Sequence, residues 1–162
     1  MRKLANVTAF QREPSRKSSG TITAKVKGKA AELFLYGTIG QDFFGDGVTA
    51  KDFRKELRAL GNVSTIDLRI NSDGGVVTEA RAMYALLLDH KAKVNVHIDG
   101  IAASAASFLA MVGDHITINE GAFVMIHNAR VTARGTAADL RKTADTMDII
   151  NDAMLQTYAA RT

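Results

Sequence analysis

Three places in the chain carry residue types that could do chemistry. Ser104 stands in Ala102-Ala103-Ser104-Ala105-Ala106-Ser107-Phe108-Leu109, at the start of a small-residue run that reads as a helix. A hydroxyl there lies among free amide N–H groups at the positive end of the helix dipole, which stabilises negative charge on a bound oxyanion. The flanking alanines let a substrate backbone come close. The same composition also suits plain packing of Ser104 and Ser107 in a tight helix–sheet contact. His127 ends the apolar run Phe123-Val124-Met125-Ile126 and is followed by Asn128. A histidine leaving a buried strand can act as a general base, or can simply be a satisfied structural residue. Gly74-Gly75 follows an apolar strand, and a glycine turn there exposes amides suited to an anion or oxyanion, or is only a turn. No Lys-Ser or Lys-Thr follows and GxGxxG spacing is absent, so this is not a phosphate loop. His90 and His115 fall at element ends and read as solvated. His97 is out of phase with Val94, Val96 and Ile98. The four histidines lack HExxH spacing, so no metal or other cofactor is expected.

These residues must be held by elements, and the apolar spacing supplies them. Thr21 to Lys27 alternates, with Ile22, Ala24 and Val26 on one face, and Ala31 to Ile39 is apolar enough to be buried on both faces. Thr49 and Asp52 resemble a capping box opening a helix of Phe53, Leu57 and Leu60 that Gly61 closes. Val63 to Ile70 reads as a strand running into a turn, Asn71 to Gly75. The next helix carries Ala80, Met83, Tyr84, Leu87 and Leu88 on one face. Lys93 to Ile98 is a further strand, Gly100 turns the chain into the Ala102–Leu109 helix, and Ile116–Ile118 and Ala122–Ile126 are short strands. Strand–helix alternation with apolar strands predicts parallel pairing and an α/β core. Val131 to Gly135 reads as a short polar strand. Thr136 with Asp139 starts a helix of about 24 residues, roughly 36 Å, striped by Leu140, Ala144, Met147, Ile150, Met154 and Tyr158. Such a stripe predicts either oligomerisation through a protruding helix or a helix lying back on the core.

At 162 residues and 46% hydrophobic, the chain is sized for one domain with a sizeable core. It shows no membrane span and no signal peptide. Zero cysteines exclude disulfides, thiolate metal sites and a cysteine nucleophile, and fit a cytoplasmic protein. The net charge of +4 resides in residues 1–20, which hold five basic residues and one acidic one. The remainder is neutral, so nucleic acid is not an expected partner. Residues 1–19, with the only proline, Pro14, read as a flexible basic arm for gating, docking or processing.

Taken together and in order, Ile70-Asn71-Ser72-Asp73-Gly74-Gly75, Gly100 to Leu109 and Val124-Met125-Ile126-His127 resemble the ClpP family of serine peptidases. The likeness runs from about residue 32 to the end. The wording Ala-Ala-Ser-Ala-Ala-Ser-Phe is closest to the phage and prophage branch that acts in capsid maturation. The resemblance implies an α/β fold: a crotonase-like head of stacked β–β–α units over 20–130 and a handle of strand plus long helix over 131–162. It implies Ser104 as nucleophile and His127 as general base. The backbone N–H groups of Gly74 and Ala105 would form the oxyanion hole, and Gly75 and Val76 would bind substrate. It further implies a peptide or protein substrate, in that branch capsid or scaffold protein cleaved without an ATP-driven unfoldase, and homo-oligomeric rings stacked through the handle helix.

Two positions depart from the family pattern. Asp73 stands where the family usually has proline, placing a negative charge beside the expected oxyanion hole. The family's third triad member is an aspartate well beyond the handle helix, and Asp139, Asp145, Asp148 and Asp152 are poor substitutes for it. The expectation is therefore a shortened form of a longer protein, without the closing end of the head, whose histidine lacks its orienting carboxylate. An inactive ring-forming scaffold is the alternative reading. A crotonase-type acyl-CoA enzyme is a further one, which would bind CoA and be indifferent to Ser104→Ala. Lys91 and Lys93 have no support as partners in a Ser–Lys dyad.

Overall fold

The computed structural model describes residues 20–41 and 46–161, so the basic arm lies outside the described residues. Strands β1 (Thr21–Lys27), β2 (Ala30–Ile39), β3 (Thr65–Gly75), β4 (Lys93–Ala103), β5 (His115–Ile118) and β6 (Phe123–Met125) form one sheet. Helices α1 (Ala50–Ala59), α2 (Val77–Leu88), α3 (Ala105–Ala110) and α4 (Ala137–Ala159) complete the described chain. The order is β1-β2-β3-β4-β5, with β6 also on β4. β1 pairs antiparallel with β2, and every other pairing is parallel.

Period-two alternation sets the core. Leu33 and Leu35, Ile66, Leu68 and Ile70, and Val94, Val96 and Ile98 project to one face and are buried with Phe53 and Leu57 of α1, Met83 and Leu87 of α2, and Leu109 of α3. Full burial of each large aliphatic contributes about 1.5–3 kcal/mol. Both expected capping boxes form, Thr49 with Asp52 and Thr136 with Asp139, each stabilising its helix start by about 1 kcal/mol. β2 is not buried on both faces: Glu32, Phe34 and Tyr36 lie half-buried on the side away from the helices.

That opposite face is polar. Asp99 accepts from Tyr36 Oη at 2.6 Å, from Asn119 Nδ2 at 3.0 Å and from both Nε and an Nη of Arg69. Burial alone would push the Asp99 carboxyl up, but the hydrogen bonds from Tyr36, Arg69 and Asn119 and the guanidinium charge together hold it below the usual carboxylate range. A carboxyl lowered on folding stabilises the fold above its unfolded value, about 3.9, and that contribution is lost as pH falls through the folded value. Asp99→Asn is therefore expected to cost about 2 kcal/mol at pH 7, as for a charge-assisted hydrogen-bond set. The gap should narrow at pH 3, where the unfolded parent chain takes up a proton that the folded carboxyl resists. Urea unfolding of both proteins at the two pH values measures it. An equal gap at both would show that the carboxylate charge is not what stabilises.

Three expected boundaries move. Asn71 to Gly75 is not a turn after the strand but the last part of β3. The pairing slips there: Tyr36 opposes Asn71 but Thr38 opposes Gly74, and Ile70 opposes Ile98 but Ser72 opposes Ala102. These bulges re-aim the strand ends while keeping them paired. β4 likewise runs through Gly100 to Ala103, so α3 starts at Ala105 rather than Ala102. Residues 131–135 form no strand, because they have no neighbour in the sheet. Of the α4 stripe, Met154 is buried and Ile150 and Tyr158 pack on the core, whereas Leu140 is 45% exposed. The last turns lie back on the head, and the first turns do not.

Candidate active site

Parallel sheets present their ligand sites at the carboxyl ends of the strands, and the candidate residues gather there. β3 ends in Gly74-Gly75, β4 delivers Ser104, and β6 leads two residues on to His127. β4 and β6 are in register at Ala103 and Met125, and the Ser104 N–H donates to Met125 O at 2.8 Å. One backbone hydrogen bond thus ties the candidate nucleophile to the strand that carries the candidate base.

Ser104 is the N-cap of α3, with φ 53° and ψ −124°. It is the one non-glycine residue with positive φ among the described residues. Such a conformation costs about 1–3 kcal/mol and persists only where its surroundings enforce it. Gly74 is part of that enforcement. Its φ is +93°, and a Cβ there would stand 2.5 Å from Ala103 O, 2.8 Å from Ser104 Cβ and 2.9 Å from Ala105 N. Only a hydrogen side chain lets β3 approach the Ser104 turn this closely.

The structure brings Gly74, Ser104 and Ala105 together. The Gly74 N–H is engaged, donating to the buried Ser72 Oγ at 3.1 Å. Asp73, the residue that departs from the family pattern, is exposed. Gly75 and Val76 line a cleft of about 460 Å³ with Ile39, Ala129, Met147 and Ile150. His127 is half-buried and lines a smaller cleft of about 200 Å³ with Asn151, Met154 and Tyr158. Its Nδ1 is buried and makes no hydrogen bond among the described residues. A larger cleft of about 680 Å³, between α2 and the end of α4, holds Arg81, Asp114 and Arg161 and none of the candidate residues. No three histidine, aspartate or glutamate side chains converge as metal ligands among the described residues, and none of the helices there is long and apolar enough to cross a membrane.

Two contributors to the site were not anticipated. Ser72, read only as part of a turn, holds the Gly74 amide. Ser107, read only as a packing residue, donates from Oγ to Ser104 O at 2.7 Å and shares a 2.8 Å hydrogen bond with Tyr158 Oη. The spacing of three residues from Ser104 to Ser107 on a helix was a usable signal. The 51-residue separation from Tyr158 carried none.

A strained serine against a glycine, beside a strand that leads two residues on to a histidine, gives a mixed α/β domain with its candidate chemistry at one carboxyl edge of a parallel sheet. The family model described as Clp protease matches residues 28–162. The chain belongs to the Clp protease family, a family of peptidases. Members of the family act on protein substrates and form oligomeric rings.

Proposed function

We propose that the chain is a serine endopeptidase in which Ser104 is the nucleophile and His127 the general base, with Gly74 and Ala105 as amide donors to the oxyanion. The observation that carries this is the strained backbone of Ser104, held against Gly74 where β4 ends. Ser104 Oγ attacks the scissile carbonyl while His127 takes its proton. The resulting oxyanion is stabilised by the N–H groups of Ala105 and Gly74. His127 then protonates the departing amine, and water hydrolyses the acyl-serine by the same steps in reverse. An oxyanion is a stronger acceptor than a neutral hydroxyl, so it competes for the Gly74 amide that Ser72 Oγ holds in the free protein.

The substrate is an extended peptide passing Gly75 and Val76. The apolar side chains of Ile39, Met147 and Ile150 beside them favour an apolar residue next to the scissile bond. The small-residue wording around Ser104 supports capsid or scaffold protein as that substrate, in phage or prophage head maturation. The exposed first turns of α4 support rings joined through that helix.

A second reading, an inactive ring-forming scaffold, draws on the buried His127 Nδ1, which has no hydrogen-bond partner among the described residues. A catalytic imidazole needs an acceptor there to fix its tautomer, and the family pattern makes that acceptor an aspartate. Labelling with a fluorophosphonate, followed by peptide mapping, separates the two readings. The peptidase is expected to take the label on Ser104 when folded and to take none when denatured before the probe is added. Rings that take no label favour the scaffold, and a label on another serine overturns the nucleophile.

A further inference from the structure

We infer that Ser107 and Tyr158 are positioning residues that aim the Ala105 N–H by clamping the carbonyl of Ser104. The inference rests on the peptidase reading above, and assigns two further side chains to it.

The Ser104 carbonyl receives three donors: Ser107 N–H at 3.0 Å, Phe108 N–H at 3.3 Å and Ser107 Oγ at 2.7 Å. A carbonyl cannot donate, so the single hydroxyl proton of Ser107 is committed to it. Ser107 Oγ can then only accept from Tyr158 Oη, 2.8 Å away. The direction of the chain is thereby fixed, from Tyr158 O–H to Ser107 Oγ, and from Ser107 O–H to Ser104 O. Such consecutive hydrogen bonds polarise one another. Ser107 is fully buried, and the Tyr158 ring meets Phe108 edge-on with centroids 6.4 Å apart, so neither hydroxyl is free to reorient. Burial also pushes the Tyr158 phenol up from its ordinary value, which keeps it a donor at neutral pH.

Peptide planarity carries the effect to the site. The Ser104 C=O and the Ala105 N–H belong to one trans peptide unit and point in opposite directions. Holding the oxygen toward α3 therefore directs the N–H away from it. Ser104 sits at φ 53° and ψ −124°, from which the peptide would relax by rotation if its oxygen were released. The ordinary explanation of the same contacts is a helical serine bonded to the carbonyl three residues back, with a tyrosine covering the core. That explanation predicts a loss of stability without a selective loss of rate.

The test compares Tyr158→Phe, Ser107→Ala and the double variant with the parent in the 162-residue chain. Fluorophosphonate labelling is resolved into probe affinity and maximal rate, and amide exchange is followed by mass spectrometry over residues 104–110. Tyr158→Phe is expected to keep the affinity and lower the maximal rate about tenfold, the loss of one hydrogen bond. The double variant should be no slower than Ser107→Ala. Exchange in the first turn of α3 should quicken about tenfold while β3 and β4 are unchanged. A loss carried by affinity, a maximal rate within about twofold of the parent, or additive single effects overturns the positioning role. Unchanged exchange overturns the link itself, whether or not the chain labels. A parent that fails to label at Ser104 overturns the peptidase reading instead.

Discussion

Ser104→Ala should reduce peptide hydrolysis and fluorophosphonate labelling to background, a loss of about 10⁶ in turnover for a fully assembled nucleophile–base unit. This chain should lose far less than that with either Ser104→Ala or His127→Ala. A histidine that lacks its Nδ1 acceptor samples the wrong tautomer, and in a triad that alone costs about 10⁴. The Nδ1 of His127 is buried and has no partner among the described residues. Most of what the base could contribute is then already lost in the parent. Ser104→Ala and His127→Ala are each left with about 10², the quotient of those two factors. Measuring kcat for both variants on a fluorogenic peptide with an apolar residue before the cleaved bond decides it. A loss near about 10⁶ for both variants would mean that an acceptor does reach Nδ1, and oligomeric state measured alongside would show whether another copy supplies it. Residual hydrolysis in Ser104→Ala above a few per cent of the parent would remove Ser104 as nucleophile.

The elements easiest to read were those with local causes. The alternation in β4 placed Val94, Val96 and Ile98 in the core, because a pleated strand sends successive side chains to opposite faces whatever its neighbours do. The two Thr–Asp capping boxes were legible for the same reason, since both partners lie within four residues. The errors came where pairing overrides local composition. Asn71 to Gly75 has turn composition, yet the neighbouring β2 and β4 capture it as a bulged strand. Residues 131–135 have strand composition but no strand beside them. At the candidate site, Gly74, Ser104 and His127 stood out because three short motifs keep the order and spacing of the family they resemble. That the Gly74 amide donates to Ser72, that Tyr158 reaches Ser107, and that Asp99 collects Tyr36, Arg69 and Asn119 all depend on side chains meeting in space. No period or spacing in the chain encodes those meetings.

Gly74→Ala is expected to cost at least about 10³ in kcat, more than the 10²–10³ of a single oxyanion donor. The new methyl would meet Ala103 O, Ser104 Cβ and Ala105 N, all within 2.9 Å. Two of these are backbone atoms and the third is the root of the nucleophile, so no flexible side-chain end can swing aside. Relief must come from separating the end of β3 from the Ser104 turn. That movement displaces both proposed amide donors and the nucleophile together. The φ of +93° adds a backbone penalty of about 1–2 kcal/mol for a residue with a Cβ, so some stability is lost as well. Gly28→Ala separates the two effects. Its φ is +63° and nothing lies within 4 Å of the added Cβ, so it carries a backbone penalty without a clash and lies far from the carboxyl edge. Both variants should show a lower urea midpoint, but only Gly74→Ala should lose kcat when assayed well below its unfolding transition. If Gly28→Ala and Gly74→Ala lose activity in proportion to their stability, Gly74 serves the fold and not the oxyanion. If Gly74→Ala retains more than about a tenth of the parent rate, the amides beside Ser104 do not carry the developing charge, because losing a single such donor would already cost more than that.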